Sequence, residues 1–191
     1  MVDDLNSISE QLGQESSSGK DLSNPPLHLW HPELSGDIDI VIQTDGSWIH
    51  EGSPIKRLSL VNLFASILRR EEDGEYYLVT PVEKWRLTVE ALPLLVTDFS
   101  VVNSQSPEQV VSVTLNTGRQ FSIDDEHPLF IPAHAKHPDV PAIKLPHGLA
   151  AMFARAAWYR LVEICEEAEG VMGFSSNGVF FSIVGDEPKE I

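Results

Sequence analysis

Ile38, Ile40 and Ile42 fall on alternate positions of the run 37–43, the period of a strand that buries one face. Asp45-Gly46 follows, and Ser47-Trp48-Ile49-His50 resumes the extended pattern. Asp-Gly supplies the positive φ values of a two-residue type I′ turn, so a hairpin is expected here. Gly52 and Pro54 stop its second strand. Over 59–70 the period lengthens: Leu60, Leu63, Phe64, Ile67 and Leu68 are spaced i, i+3, i+4, i+7 and i+8, one face of a helix. Ser59 is the expected N-cap, and Arg69 and Arg70 suit the negative end of the dipole. Gly74 ends the helix, and 76–80 reads as a strand that Pro81 terminates.

Apolar and polar residues alternate again over 85–90, Pro93 interrupts, and 94–102 continues as a further extended segment. Val111, Val113 and Leu115 alternate, Asn116-Thr117-Gly118 turns, and 119–123 returns as a second hairpin. A proline-rich insertion spans 124–146, in which only 129–131 and 142–145 look extended, as short edge strands. From 147 to 169 the pattern is helical with a slip of phase near Ala154-Arg155-Ala156, which predicts a short helix followed by a longer one. The run 171–174, the turn Ser176-Asn177-Gly178 and the run 179–184 form a last hairpin. Both halves thus run strand, turn, strand, helix, Gly-led strand, with Gly46, the 59–70 helix and the Gly74-led strand set against Gly118, the 147–169 region and the Gly178-led strand. A duplicated α+β module is expected, its antiparallel sheets each packed by a helix: an acidic flexible tail (1–24), an N-terminal repeat (25–103) and a C-terminal repeat carrying the insertion (104–191).

With 191 residues the chain can build one domain with a sizeable core or two small ones. Thirteen Lys and Arg against 29 Asp and Glu leave a formal charge of -16. That field repels phosphate backbones and argues against duplex nucleic acid, while leaving room for a local basic pocket that takes a small anion. The single cysteine, Cys165, has no intramolecular disulfide partner, which fits a reducing compartment. On an apolar helix face it reads as a small buried hydrophobe rather than a nucleophile. No apolar run approaches the ~20 residues of a membrane helix, and the acidic N-terminus lacks the pattern of a signal peptide. The cytoplasm is the expected location.

Walker A, dinucleotide-binding, nucleophile-elbow and His-Glu-x-x-His patterns are all missing, so no cofactor is expected and an enzyme is the third reading. The candidate metal ligands are His134 and His137, with His127, Asp124, Asp125, Glu126 and Asp139 nearby. They lie in the proline-rich loop, where no helix sets them on one face, and a polar surface loop is the alternative. Against the acidic background a basic and aromatic set stands out: Arg57, Lys84-Trp85-Arg86, Arg119, and Arg155 with Tyr159. Guanidinium groups grip carboxylate or phosphate bidentately, and Trp or Tyr stacks on a base or ring. The alternative is that the arginines pair with internal carboxylates and that Trp85 is core. Trp30, in the segment from Pro25 to Pro32, reads chiefly as an anchor for irregular chain.

Several motifs together resemble a bacterial family, domain of unknown function 1285. They are Pro25-Pro26, Trp30 and Pro32, Gly36-Asp37-Ile38, Asp45-Gly46 with Trp48, Gly52, Pro54-Ile55 and Arg57. Leu63-Phe64, Leu68, Glu71, Asp73-Gly74, Tyr76, the run from Leu78 to Glu83, Val89-Glu90 and Pro93 continue the likeness. Gly148-Leu149, Ala154-Arg155, Tyr159 and Leu161-Val162 carry it in the second half. Members commonly have Pro directly after the arginine matching Arg155, where this chain has Ala156. The resemblance implies a duplicated α+β core whose C-terminal half is superficially like pleckstrin-homology folds, a nucleotide-type ligand site between the halves, and a role in signalling. The expectation is therefore a ligand-binding regulatory protein that holds a small anionic, nucleotide-like molecule with Arg57, Lys84, Trp85, Arg155 and Tyr159. The competing expectation is a protein-interaction module that uses an exposed sheet edge or the loop 128–146.

Overall fold

A computed structural model describes residues 25–132, 140–168 and 170–183. The expected acidic tail lies outside the described residues. The chain divides into two compact units, one reaching Ala91 and including His147–Leu149, the other formed by Leu92–Pro146 and the residues from Ala150 on.

In the first unit a single 3-10 turn, Leu27–Leu29, precedes β1 (Leu34–Ile42), β2 (Trp48–His50), β3 (Ser53–Pro54), helix α1 (Leu58–Ser66), β4 (Leu68–Arg70), β5 (Tyr76–Val79) and β6 (Lys84–Val89). The strand order across the sheet is β3-β2-β1-β6-β5-β4. Each triplet is an antiparallel meander, and parallel pairing of β1 with β6 joins the two. Ile38, Ile40 and Ile42 are all buried, as their alternation predicts, together with Trp48, Leu68, Leu78 and Leu87. Helix α1 adds Val61, Phe64 and Ala65 to this core, and the Phe64 ring stacks on Trp48 with centroids 6.2 Å apart.

Helix α1 is shorter than its spacing predicts. Its N-cap position is Arg57 rather than Ser59, with no side-chain cap, and it ends at Ser66. Leu68 and Arg69 continue the helical period in sequence, yet they pair with Leu78 and Tyr77 as strand, and the Val79 N–H donates to the Ile67 carbonyl at 3.0 Å. Cross-strand pairing that buries Leu68 outweighs a helix preference of only tenths of a kcal/mol per residue, roughly. The Asp45-Gly46 hairpin is also built differently. Gly46 N–H donates to Gln43 O and Gln43 N–H to Ser47 O, each at 2.9 Å, and Gly46 alone takes the left-handed conformation (φ 80°). This is the three-residue loop, a type I turn closed by a left-handed glycine. The same pair of bonds recurs at Glu71, Gly74 and Glu75 and at Leu115, Gly118 and Arg119. Asn177-Gly178, with both φ values positive, is the two-residue turn.

The second unit contains β7 (Leu94–Val102), β8 (Val110–Leu115), β9 (Gln120–Ser122), β10 (Leu129–Phe130), β11 (Ala142–Lys144) and β12 (Ala150–Phe153). Their order, β10-β11-β12-β7-β8-β9, reproduces that of the first sheet with β7 in the place of β1 and β12 in the place of β6. Here too a parallel pair, β7 with β12, joins two antiparallel meanders. The duplication is therefore present, but not with the expected match: the strand led by Gly178 falls outside this sheet, and the place of α1, between β3 and β4, is taken by the loop 123–128 between β9 and β10. The run 94–102, grouped above with the first half, opens the second sheet, and the hairpin carrying Gly118 matches β2 and β3 rather than β1 and β2. Of the two short strands expected at the edge, β10 is an edge and β11 is internal, its Ala142 and Ile143 fully buried.

The long helical region expected from 147 is divided. A 3-10 turn, Pro146–Gly148, places His147 and Gly148 in the left-handed region, β12 follows, and helix α2 (Arg155–Glu163) begins where the phase slips. Alanine-rich β12 has a helix-forming composition, but it lies between β11 and β7 and hydrogen-bonds to both. Beyond α2, β13 (Glu166–Ala168), β14 (Val171–Ser176) and β15 (Val179–Ser182) make a three-stranded sheet. Buried Ser176 ties it to the rest of the unit, its hydroxyl donating to Ile123 O (2.6 Å) and accepting from Val111 N–H (3.0 Å). Among the described residues no helix is long and apolar enough to cross a membrane.

Candidate functional site

One row across the first sheet is polar. The register sets Arg69, Tyr77, Arg86 and Asp37 side by side on β4, β5, β6 and β1. Beside them Glu71, on the β4–β5 turn, accepts from Lys84 Nζ at 2.9 Å and also pairs with Arg69. All three are mostly shielded, with side chains 13% (Arg69), 18% (Lys84) and 24% (Glu71) exposed. Arg69 also donates to Leu27 O and Trp30 O, each at 2.9 Å; this anchors the segment around Trp30. Burial pushes the Glu71 carboxyl upward, but the hydrogen bonds and charges of Lys84 and Arg69 outweigh it and hold the group below the usual range. Tyr77 donates to Asp73 at 2.6 Å; that bond, burial and the neighbouring carboxylates push its hydroxyl up to about 12. These groups bond chiefly to one another, with Arg69 Nε left buried without a partner.

Lys84, expected to contact ligand, is therefore held by Glu71 and stacked over Tyr77, its Nζ 4.8 Å from the ring centroid. Trp85 is half-buried, donates to Glu83 (3.3 Å) and covers Gly36, where a Cβ would come 3.3 Å from the ring. Arg57 is exposed at the N-cap of α1. In the second unit Arg155 is the first residue of α2, its Nε donating to the Tyr159 hydroxyl at 3.1 Å and its guanidinium lying over the Tyr159 ring. Tyr159 is itself 54% exposed. The expected ligand residues thus fall into local units, Lys84 within the Glu71 cluster and Arg155 with Tyr159.

The N-termini of α1 and α2 share a charge pattern. Neither has a side-chain cap, neither has an acidic residue in its first turn, and each carries an arginine at its end. Among the described residues no carboxylate pairs with Arg57 or Arg155. Arg86 and Arg160, by contrast, are engaged with Asp37 and Asp98, each pair at 2.7 Å. Arg119 lies over Phe121 (5.1 Å), and burial lowers its pKa.

Cys165 sits just past the end of α2, half-buried, donating to Leu161 O; burial pushes its thiol up to about 11, away from thiolate chemistry. His127 bonds Asp124 and lies against Phe121, and no group of three or more metal-binding side chains occurs among the described residues. His134 and His137 lie outside the described residues. The Glu71 cluster was missed because Lys84 comes to Glu71 through two successive hairpins, β4–β5 and β5–β6, and because 69–70 read as helix rather than strand.

Family models match both halves: "Domain of unknown function (DUF1285), N-terminal domain" over residues 25–92 and "Protein of unknown function (DUF1285), C-terminal domain" over 93–183. A crystal structure of a DUF1285 family protein from Silicibacter pomeroyi DSS-3 is similar with a TM-score of 0.79 and 36% identity, covering 85% of this chain and 88% of that one. A second, from Shewanella baltica OS155, has a TM-score of 0.52 and 31% identity, covering 66% of this chain and 92% of that one. No functionally curated protein matches the chain.

Proposed function

The chain belongs to the family of domain of unknown function 1285 through both of its halves, and on that premise we propose a cytoplasmic, ligand-binding regulatory protein. Its ligand is a small anion of phosphate or nucleotide type, and each unit by itself offers such an anion one grip at a helix N-terminus: Arg57 on α1 in the first, Arg155 on α2 in the second. The observation that carries this reading is the placement of charge. A cation at the positive end of a helix costs about 0.3–1 kcal/mol, and both helices accept that cost in a chain where acids outnumber bases 29 to 13. A bound anion reverses the sign of the arrangement, because guanidinium and uncapped backbone N–H groups then converge on one negative charge. Tyr159, exposed and held by Arg155, offers a ring for stacking. Lys84 and Trp85 act as support, since their polar atoms are already engaged.

Thermal-shift screening of nucleotides and phosphorylated metabolites tests the reading. A ligand present at a hundred times its Kd stabilises the fold by about 2.7 kcal/mol, readily visible as a rise in Tm. Arg57→Gln and Arg155→Gln should each reduce that rise. No stabilisation by any compound at millimolar concentration, or a rise that both variants retain, rejects it.

A further inference from the structure

Strand β13 is an edge of the three-stranded sheet, pairing with β14 on one side, and all three of its residues are exposed. An unpaired edge presents a row of backbone donors and acceptors, a template for another extended chain. Beside this edge, within the second unit, opens a cleft of about 300 Å³. Glu166 and Glu167 line it together with Gln105, Gln109, Phe174 and Phe180. Gln109 is fixed in place, donating to Ser175 O at 2.7 Å and accepting from Gln105 N–H at 3.0 Å. Glu166 stands opposite Gly173 in the register, and Gly173 makes room for an aromatic ring: a Cβ there would lie 2.6 Å from Phe180 and 2.3 Å from the Phe181 carbonyl. Phe180 remains 39% exposed. An aromatic ring and two carboxylates thus stand beside a strand edge on which no other described strand pairs.

We propose that this edge takes up a basic, extended segment of a partner protein, which pairs with β13 as a fourth strand and sets a Lys or Arg side chain in the cleft beside Phe180 and Glu166. Strand addition draws affinity from main-chain bonds and specificity from the pockets that alternate side chains enter. Charge complementarity chooses the occupant. Carboxylates beside an aromatic ring suit an ammonium or guanidinium group, and the net charge of -16 steers cations inward. A second copy of this chain is disfavoured at the same edge, because β13 against β13 sets Glu166 and Glu167 among their own like charges.

The test uses the full chain and a short fluorescein-labelled peptide of alternating lysine and valine, with a glutamate–valine peptide as control. Binding is read by fluorescence anisotropy, and pairing by amide hydrogen exchange. The lysine peptide should bind, slow the exchange of residues 166–168 and weaken as salt is raised, while the glutamate peptide should not bind. Phe180→Ala, and separately the double variant Glu166→Gln with Glu167→Gln, should each weaken binding about tenfold. The double variant alters no apolar packing, so it decides the matter if Phe180→Ala does not fold. Absence of binding, equal affinity for the two peptides, undiminished affinity in the double variant, or binding without slower exchange at 166–168 each overturns the proposal.

Discussion

The two six-stranded sheets share a strand order and differ in what fills the step between their meanders. In the first, the chain from β3 to β4 carries α1, which delivers Phe64 onto Trp48 and closes the core. In the second, the chain from β9 to β10 is a short loop, 123–128, and the helix comes later, after β12, bringing Trp158 to the edge of Phe153 (6.4 Å). The three-stranded sheet, tied in through Ser176, completes that unit. A sheet with one apolar face must bury it, but the topology leaves open which segment supplies the cover. The polar sides differ as well. The first unit has a shielded cluster around Glu71 beside the exposed Asp37–Arg86 pair, whereas the second pairs Asp98 with Arg160 at the surface, both side chains more than half exposed.

The largest test of this contrast is Phe64→Ala. Removing the ring that α1 lays on Trp48 should cost about 3–5 kcal/mol in urea denaturation, whereas Leu58→Ala, at an exposed position of the same helix, should change stability by under about 0.5 kcal/mol. A Phe64→Ala loss below about 1 kcal/mol would mean that α1 is not the cover. Next comes the charge contrast. Glu71→Gln leaves Arg69 and Lys84 short of a counter-charge and should cost about 1–2 kcal/mol, reduced by partial exposure, while Asp98→Asn should leave Tm unchanged within error. The pH dependence follows from the lowered carboxyl pKa of Glu71. Its contribution is fully present above the ordinary glutamate pKa and is lost as pH falls through the lower folded value. Glu71→Gln should therefore flatten the acid limb of the stability profile more than Asp98→Asn does. The smallest test concerns what the units share: Gly46→Ala and Gly118→Ala, at left-handed turns with φ 80° and 81°, should each cost about 1 kcal/mol. Unequal losses would break the equivalence of the turns.

Alternation along the chain identified the strands correctly wherever one face is buried, as at Ile38, Ile40 and Ile42 or Val111, Val113 and Leu115. It could not say which sheet a strand joins, because a period of two fixes a face and names no neighbour. That is why 94–102 was grouped with the wrong half, and why the Gly74-led strand was set against β15 when its counterpart is β11. Helical spacing failed where sheet pairing overrode it, at Leu68 and Arg69 and across Ala150, Ala151 and Met152. Of the candidate site, Arg57 and Arg155 were legible as basic residues in an acidic chain, and Arg155 with Tyr159 as an i, i+4 pair. Their positions were legible too, Arg57 just before the first helix and Arg155 at the phase slip where α2 begins, whereas the missing side-chain caps needed the structure. The engagement of Lys84 by Glu71 needed both the β4–β5 and the β5–β6 hairpins.

The central claim is that Arg57 sits where it costs stability for the sake of an anion, and one pair of melting curves tests it. Arg57 is cleaner for this than Arg155, whose substitution also removes the contact with Tyr159. Arg57→Gln should raise the Tm of the ligand-free protein by about 1–3 °C and at the same time diminish the rise produced by whichever phosphorylated compound stabilises the parent chain. A variant that melts lower than the parent without ligand, and keeps the full ligand-induced rise, would contradict the account.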